Sequence, residues 1–133
     1  MAKTIKVTLY HEKIDQLLNS PRGEVGRELK KRAVKVQVAA KRQVGVKTGR
    51  LKRSIRIYGH TKVGNGQRMY IGSAVPYALM HHNGTKRHMI FPKKRSYLRF
   101  RNKGVLVFAR AVNHPGTRPN RYLTDNLYLF YSK

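Results

Sequence analysis

Ile5, Val7 and Leu9 alternate with Lys6, Thr8 and Tyr10, the period-2 pattern of a half-buried strand. A helical piece follows, from His11 to Leu18. Asn19-Ser20-Pro21-Arg22-Gly23 then breaks it, because the residue before a proline avoids the helical region and glycine tolerates a turn. From Glu24 onward, Val25, Leu29, Ala33, Val36 and Ala40 recur every three or four residues. That is one face of a helix of about 20 residues, with Arg27, Lys31, Lys35 and Arg42 on its other faces. Val34 to Val38 also alternates like a strand, but the length of the pattern and its Ala-rich flank favour helix.

The second half reads as β. Ser54-Ile55-Arg56-Ile57-Tyr58 alternates, Gly64-Asn65-Gly66 supplies a turn, and Arg68-Met69-Tyr70-Ile71-Gly72 returns, which makes a hairpin. Ala74 to His82 forms a short helix or turn with Pro76 in its first turn. Met89-Ile90-Phe91, Tyr97-Leu98-Arg99-Phe100 and Val105-Leu106-Val107-Phe108 are three more short strands, with Asn102-Lys103-Gly104 turning between the last two. His114 to Asn120 is an extended loop stiffened by Pro115 and Pro119. Asn120 is placed to cap a final helix carrying Leu123, Leu127 and Phe130 on one side. The expected fold is α+β, a mainly antiparallel sheet with a long helix and a C-terminal helix packed on one face. At 133 residues the expectation is a single domain over 1–133, long enough to bury a core.

Composition changes the picture mainly through charge. Thirty Lys and Arg against five Asp and Glu give a formal charge of +25. The acids are Glu12, Asp15, Glu24, Glu28 and Asp125, so residues 29–124 contain no carboxylate. Such a surface repels its own copies unless it meets a polyanion or acidic protein. Hydrolytic and phosphoryl-transfer sites rely mostly on Asp or Glu, so the census argues against an enzyme and against a small nuclease. Glu12 and Asp15 sit three apart and suit helix N-terminal charge. No phosphate-binding glycine loop occurs, and no cofactor is implied. The absence of Cys removes disulfides and thiolate chemistry. His81, His82, His88 and His114 can supply metal nitrogens, but no acid stands near to orient them, and turn packing is the preferred reading, with no metal site assigned. No run is long and apolar enough for a membrane span, and Met1 to Lys6 lack the continuous apolar core expected of a signal peptide.

Three segments carry more information. The first is Lys47-Thr48-Gly49-Arg50-Leu51-Lys52-Arg53-Ser54-Ile55. The second runs from Gly72-Ser73-Ala74-Val75-Pro76-Tyr77-Ala78 on to His82-Asn83-Gly84-Thr85 and His88. The third is Asn113-His114-Pro115-Gly116-Thr117-Arg118-Pro119-Asn120-Arg121-Tyr122-Leu123. In this order, across residues 24–130, the set resembles the neck or tail-completion proteins that join head to tail in long-tailed double-stranded-DNA bacteriophages. Arg121 stands where a second proline is frequent in that family, and Tyr122 replaces a phenylalanine, which keeps an aromatic anchor.

The resemblance implies a non-enzymatic virion protein, assembled in the host cytoplasm and located at the head–tail junction. It implies a homo-oligomeric ring, six subunits with twelve as the alternative, around the DNA channel. Neighbouring connector and tail-terminator or tail-tube proteins are its expected partners, with no membrane. A free, sequence-independent nucleic-acid-binding protein is the competing reading. Ring contacts are expected at Thr48, Gly49, Arg50, Tyr77, Pro115, Gly116, Pro119, Tyr122 and Leu123. Gly49 and Gly116 permit backbone geometries that larger residues resist, and Tyr122 with Leu123 would anchor a docking arm. Six copies carry roughly +150, whereas about 40 Å of threaded duplex presents only about 24 phosphates. A limited set of cations therefore faces DNA, and much of the rest faces acidic partners or solvent. The densest candidates for DNA or acidic-partner contacts are Lys86, Arg87, Lys93, Lys94, Arg95, Arg99, Arg101 and Lys103.

Overall fold

The computed structural model describes residues 7–64 and 66–132. The fold is α+β, and the chain divides into two compact units. One holds the chain up to Val75 together with the segment from Tyr122 onward, and the other is Pro76–Arg121.

The first unit is organised by α2, Glu24–Gln43. Its inward stripe, Gly26, Ala33, Val36 and Ala40, is continued by Val44 just past its end. Small residues on this stripe let neighbouring elements approach closely, and Ala40 is completely buried. Before it, α1 (His11–Asn19) packs on α2 yet buries none of its residues fully. Gly49, with φ +73°, leads into a short α3, Arg50–Ser54, which buries Leu51. The chain then enters a hairpin of β1 (Ile55–Val63) and β2 (Gly66–Ser73). These run antiparallel from Ile55 opposite Ser73 to Val63 opposite Gly66, with one bulge at Gly59 that shifts the register between Tyr58 and His60.

Named hydrogen bonds lock this unit. The Gln37 side chain donates to the Ile55 carbonyl at 2.9 Å, joining α2 to the base of the hairpin. Gln67 donates to the Leu18 carbonyl, joining β2 to the end of α1, and Lys62 pairs with Asp15 at 3.0 Å. The C-terminal element is a 3₁₀ helix, Thr124–Phe130, and it packs on α2. There Arg32 donates to the Phe130 carbonyl at 3.3 Å, and the Asn126 amide donates to the Gln43 side-chain oxygen at 2.6 Å.

The second unit contains α4 (Ala78–Asn83), β3 (His88–Ile90), β4 (Leu98–Asn102), β5 (Val105–Ala109) and β6 (Val112–His114). β3 pairs with β6, and β4 with β5, both antiparallel.

Several sequence expectations change. The strands form three two-stranded ladders rather than one continuous sheet. Pro92 and Pro115 flank the three-residue strands β3 and β6 closely, and a proline offers no N–H to extend a ladder. β6 lies in the stretch that the sequence reads as the start of an arm. Val7 to Tyr10 join no ladder, while Ile5 and Lys6 lie outside the described residues. Asn120 does not cap the final helix, which begins after Leu123. Its backbone N–H donates instead to the His81 carbonyl at 3.1 Å.

Candidate functional site

Two of the three sequence segments meet inside the second unit. Each contributes a Gly-Thr pair, Gly84-Thr85 and Gly116-Thr117. The Thr85 and Thr117 backbones exchange N–H···O bonds in both directions, at 3.1 and 3.0 Å, and their hydroxyls lie 3.1 Å apart. Each threonine is preceded by a glycine with positive φ, +72° at Gly84 and +89° at Gly116. A methyl group at Gly84 would stand 2.5 Å from the Thr117 carbonyl oxygen, and one at Gly116 would run into the Thr85 carbonyl. The glycines are thus required twice over, by dihedral angle and by the close approach of two backbones. The result is a reciprocal clamp that closes the segment from β3 to β6 at its base.

Histidines extend the clamp. His88 and His114 face each other across β3 and β6, with ring centroids 5.1 Å apart. The Gly116 N–H donates to His114 Nδ1, which therefore carries a lone pair, and His88 Nδ1 donates to the Lys86 carbonyl. His81 holds Asn120 through both its backbone carbonyl and its ring. The histidines thus take part in turns and bonds, and among the described residues no group of three or more His, Cys, Asp or Glu is gathered to hold a metal.

The expected ring contacts separate into two sets. Thr48, Gly49 and Arg50 belong to the first unit, where the Thr48 hydroxyl accepts from the Arg50 N–H at 3.4 Å and Gly49 leads into α3. Tyr77, Pro115, Gly116 and Pro119 belong to the second. Tyr77 and both prolines are exposed, and Gly116 is half-buried in the clamp. Leu123 is half-buried. Tyr122 overturns its expected role. It is only 1% exposed within a single chain, so its ring is part of the protomer's own core and offers a neighbouring subunit no anchor. Burial pushes its phenol pKa up.

All eight expected DNA or acidic-partner residues, Lys86, Arg87, Lys93, Lys94, Arg95, Arg99, Arg101 and Lys103, lie on the second unit and are exposed. Arg87 is oriented by a 2.9 Å bond to the Asn113 side chain. Arg110, which the sequence reading passed over, lies over the Tyr97 ring, 5.7 Å from its centroid. The second unit has eleven Lys and Arg and no acid. In the first unit Asp15, Glu24 and Glu28 are ion-paired. Asn19 and Lys62 hold the Asp15 carboxyl below the usual carboxylate range, and Arg32 does the same for Glu28.

Sequence reasoning also missed large apolar side chains left exposed in the same unit. Leu79, Met80, Phe91, Val105 and Phe108 all show 60% or more of their surface, although each falls in a segment that the sequence reads as a short helix, turn or strand. The signal was available in Val105-Leu106-Val107-Phe108, a run with no polar alternation to name an outer face. Among the described residues no helix is long and apolar enough to cross a membrane. No known protein family, curated protein or solved structure matches the chain.

Proposed function

We propose that this chain is a structural virion protein of a tailed bacteriophage. It forms a ring at the head–tail junction that joins the connector to the tail around the DNA channel, and it catalyses no reaction. The observation that supports this best is the surface of Pro76–Arg121. Large apolar side chains and eleven cations share it, with no carboxylate among them. Large exposed apolar side chains gathered in one unit suit an interaction surface, and aromatic residues with Arg are enriched at protein interfaces. Six subunits, or twelve, would turn part of that surface to the DNA in the channel and bury part against the adjoining connector and tail proteins. The Gly-Thr clamp gives the surface a fixed frame.

The same charge favours a second reading, a free protein that binds nucleic acid without sequence preference. Mass photometry at moderate salt separates the two. A closed oligomer of six or twelve copies supports the ring, and a monomer at every protein concentration overturns it. Purified protein leaves plasmid DNA intact with magnesium, manganese or zinc. Metal-dependent cleavage abolished by His82→Ala would overturn the non-enzymatic reading.

A further inference from the structure

The ladder formed by β4 and β5 differs from the rest of the second unit. Among the described elements its two strands pack extensively on none but each other. The ribbon is largely exposed, with Val105 67% and Phe108 62% accessible, and only Leu98, Val107 and Ala109 are half-buried. Register places Arg99 opposite Phe108 and Arg101 opposite Leu106, so both arginines share one face with these two apolar side chains. Asn102 pairs with Val105, leaving Lys103-Gly104 as a two-residue tip with φ of +47° and +86°. Hairpin tips of this kind favour Asn, Asp or Gly at the first position. Lys103 is the only non-glycine residue with positive φ among the described residues, and it puts a cation at the tip.

We infer that this ribbon is the element through which the chain enters the major groove of duplex DNA. The inference rests on the DNA-facing part of the function proposed above, and it selects Arg99, Arg101 and Lys103 from the larger basic set. A two-stranded ribbon fits a groove about 12 Å wide and 8.5 Å deep. Five residues of strand reach about 17 Å, enough to pass the phosphate rims and set the tip at the groove floor. Arg99 and Arg101 meet the phosphates, while Leu106 and Phe108 rest on sugar and thymine-methyl surface. Charge selects the occupant. The ribbon has no carboxylate and the chain carries +25, so a second copy of the same ribbon is repelled while a polyanion is drawn in.

The test is the salt dependence of binding to a labelled random-sequence duplex, followed by fluorescence anisotropy. Each lost phosphate contact lowers the slope of log K against log salt by about 0.9. The R99A/R101A/K103A variant therefore has a slope smaller by about 2 to 3, with thermal stability unchanged because all three side chains are exposed. The variant K30A/K35A/R42A removes equal charge from α2 and shifts the slope by less than about 1. Equal slope losses in the two variants, or none in the ribbon variant, overturn the assignment. A duplex whose cytosines carry bulky glucosylated hydroxymethyl groups fills the major groove. It weakens wild-type binding at least about tenfold and leaves the ribbon variant little changed; unaltered wild-type binding overturns groove entry. Mass photometry in the same buffers keeps the two readings apart. A closed oligomer whose ribbon variant keeps the full slope loses only the ribbon assignment. A monomer that binds through the ribbon keeps the assignment and loses the ring.

Discussion

The two units of this chain are held together by different physics. Of the eight buried apolar residues among those described, seven, Ala33, Val36, Ala40, Val44, Leu51, Ile55 and Tyr122, belong to the first unit. The second buries only Ala78 in that way. The first unit is therefore a packed core around α2, of the kind in which removing atoms is costly. The second is a frame of backbone bonds, two short ladders and the Gly-Thr clamp, with its large apolar side chains left outside. All five acids lie in the first unit as well. The second unit thus combines little core, no negative charge and much exposed apolar surface, while the first holds nearly all of the buried apolar residues.

The sharpest way to break that contrast is a pair of aromatic truncations. Tyr122→Ala in the first unit costs about 3–5 kcal/mol, whereas Phe108→Ala in the second stays within about 0.5 kcal/mol. Urea unfolding measures both, and equal losses would mean that the second unit has a core of its own. Next in size is the clamp. Gly116→Ala forces a side chain into a positive-φ position against the Thr85 carbonyl and costs on the order of 1–3 kcal/mol. Hydrogen exchange shows faster exchange at the Thr85 and Thr117 amides, with the α2 amides still protected. Loss of α2 protection first would contradict the division of labour.

A smaller effect is set by pH. The Tyr122 phenol has a raised pKa when folded, so the stability it confers is fully present below its unfolded value near 10 and is lost as pH rises beyond it. Thermal melts between pH 8 and 11 show this decline, and Tyr122→Phe flattens it. The smallest change comes from Asp15 and Glu28. Their folded pKa values are depressed, so their contribution is present above the unfolded values and fades as pH falls through the folded ones. Both pairs are exposed and screened by salt, so Asp15→Asn moves the acid limb of a melting curve less than any variant above.

The helical spacing from Glu24, with its length and Ala-rich flank, was enough to place α2, because the strand-like alternation of Val34 to Val38 covers too little of the pattern to compete. The β1–β2 hairpin was legible for a similar reason, since alternating runs flank a glycine turn. Charge segregation was also plain from the chain, as was the presence of two Gly-Thr pairs. What the sequence did not disclose was that these pairs bond to each other. Thr85 and Thr117 are 32 residues apart, and no local rule links them. Tyr122 was legible as an anchor but not as an anchor in its own protomer, because burial depends on what the rest of the chain brings to it. Nor did Val105 to Phe108 reveal that they stay exposed. A strand's preference for a pleated, half-buried setting is local, while the surface that covers it, or fails to, is supplied only by tertiary structure.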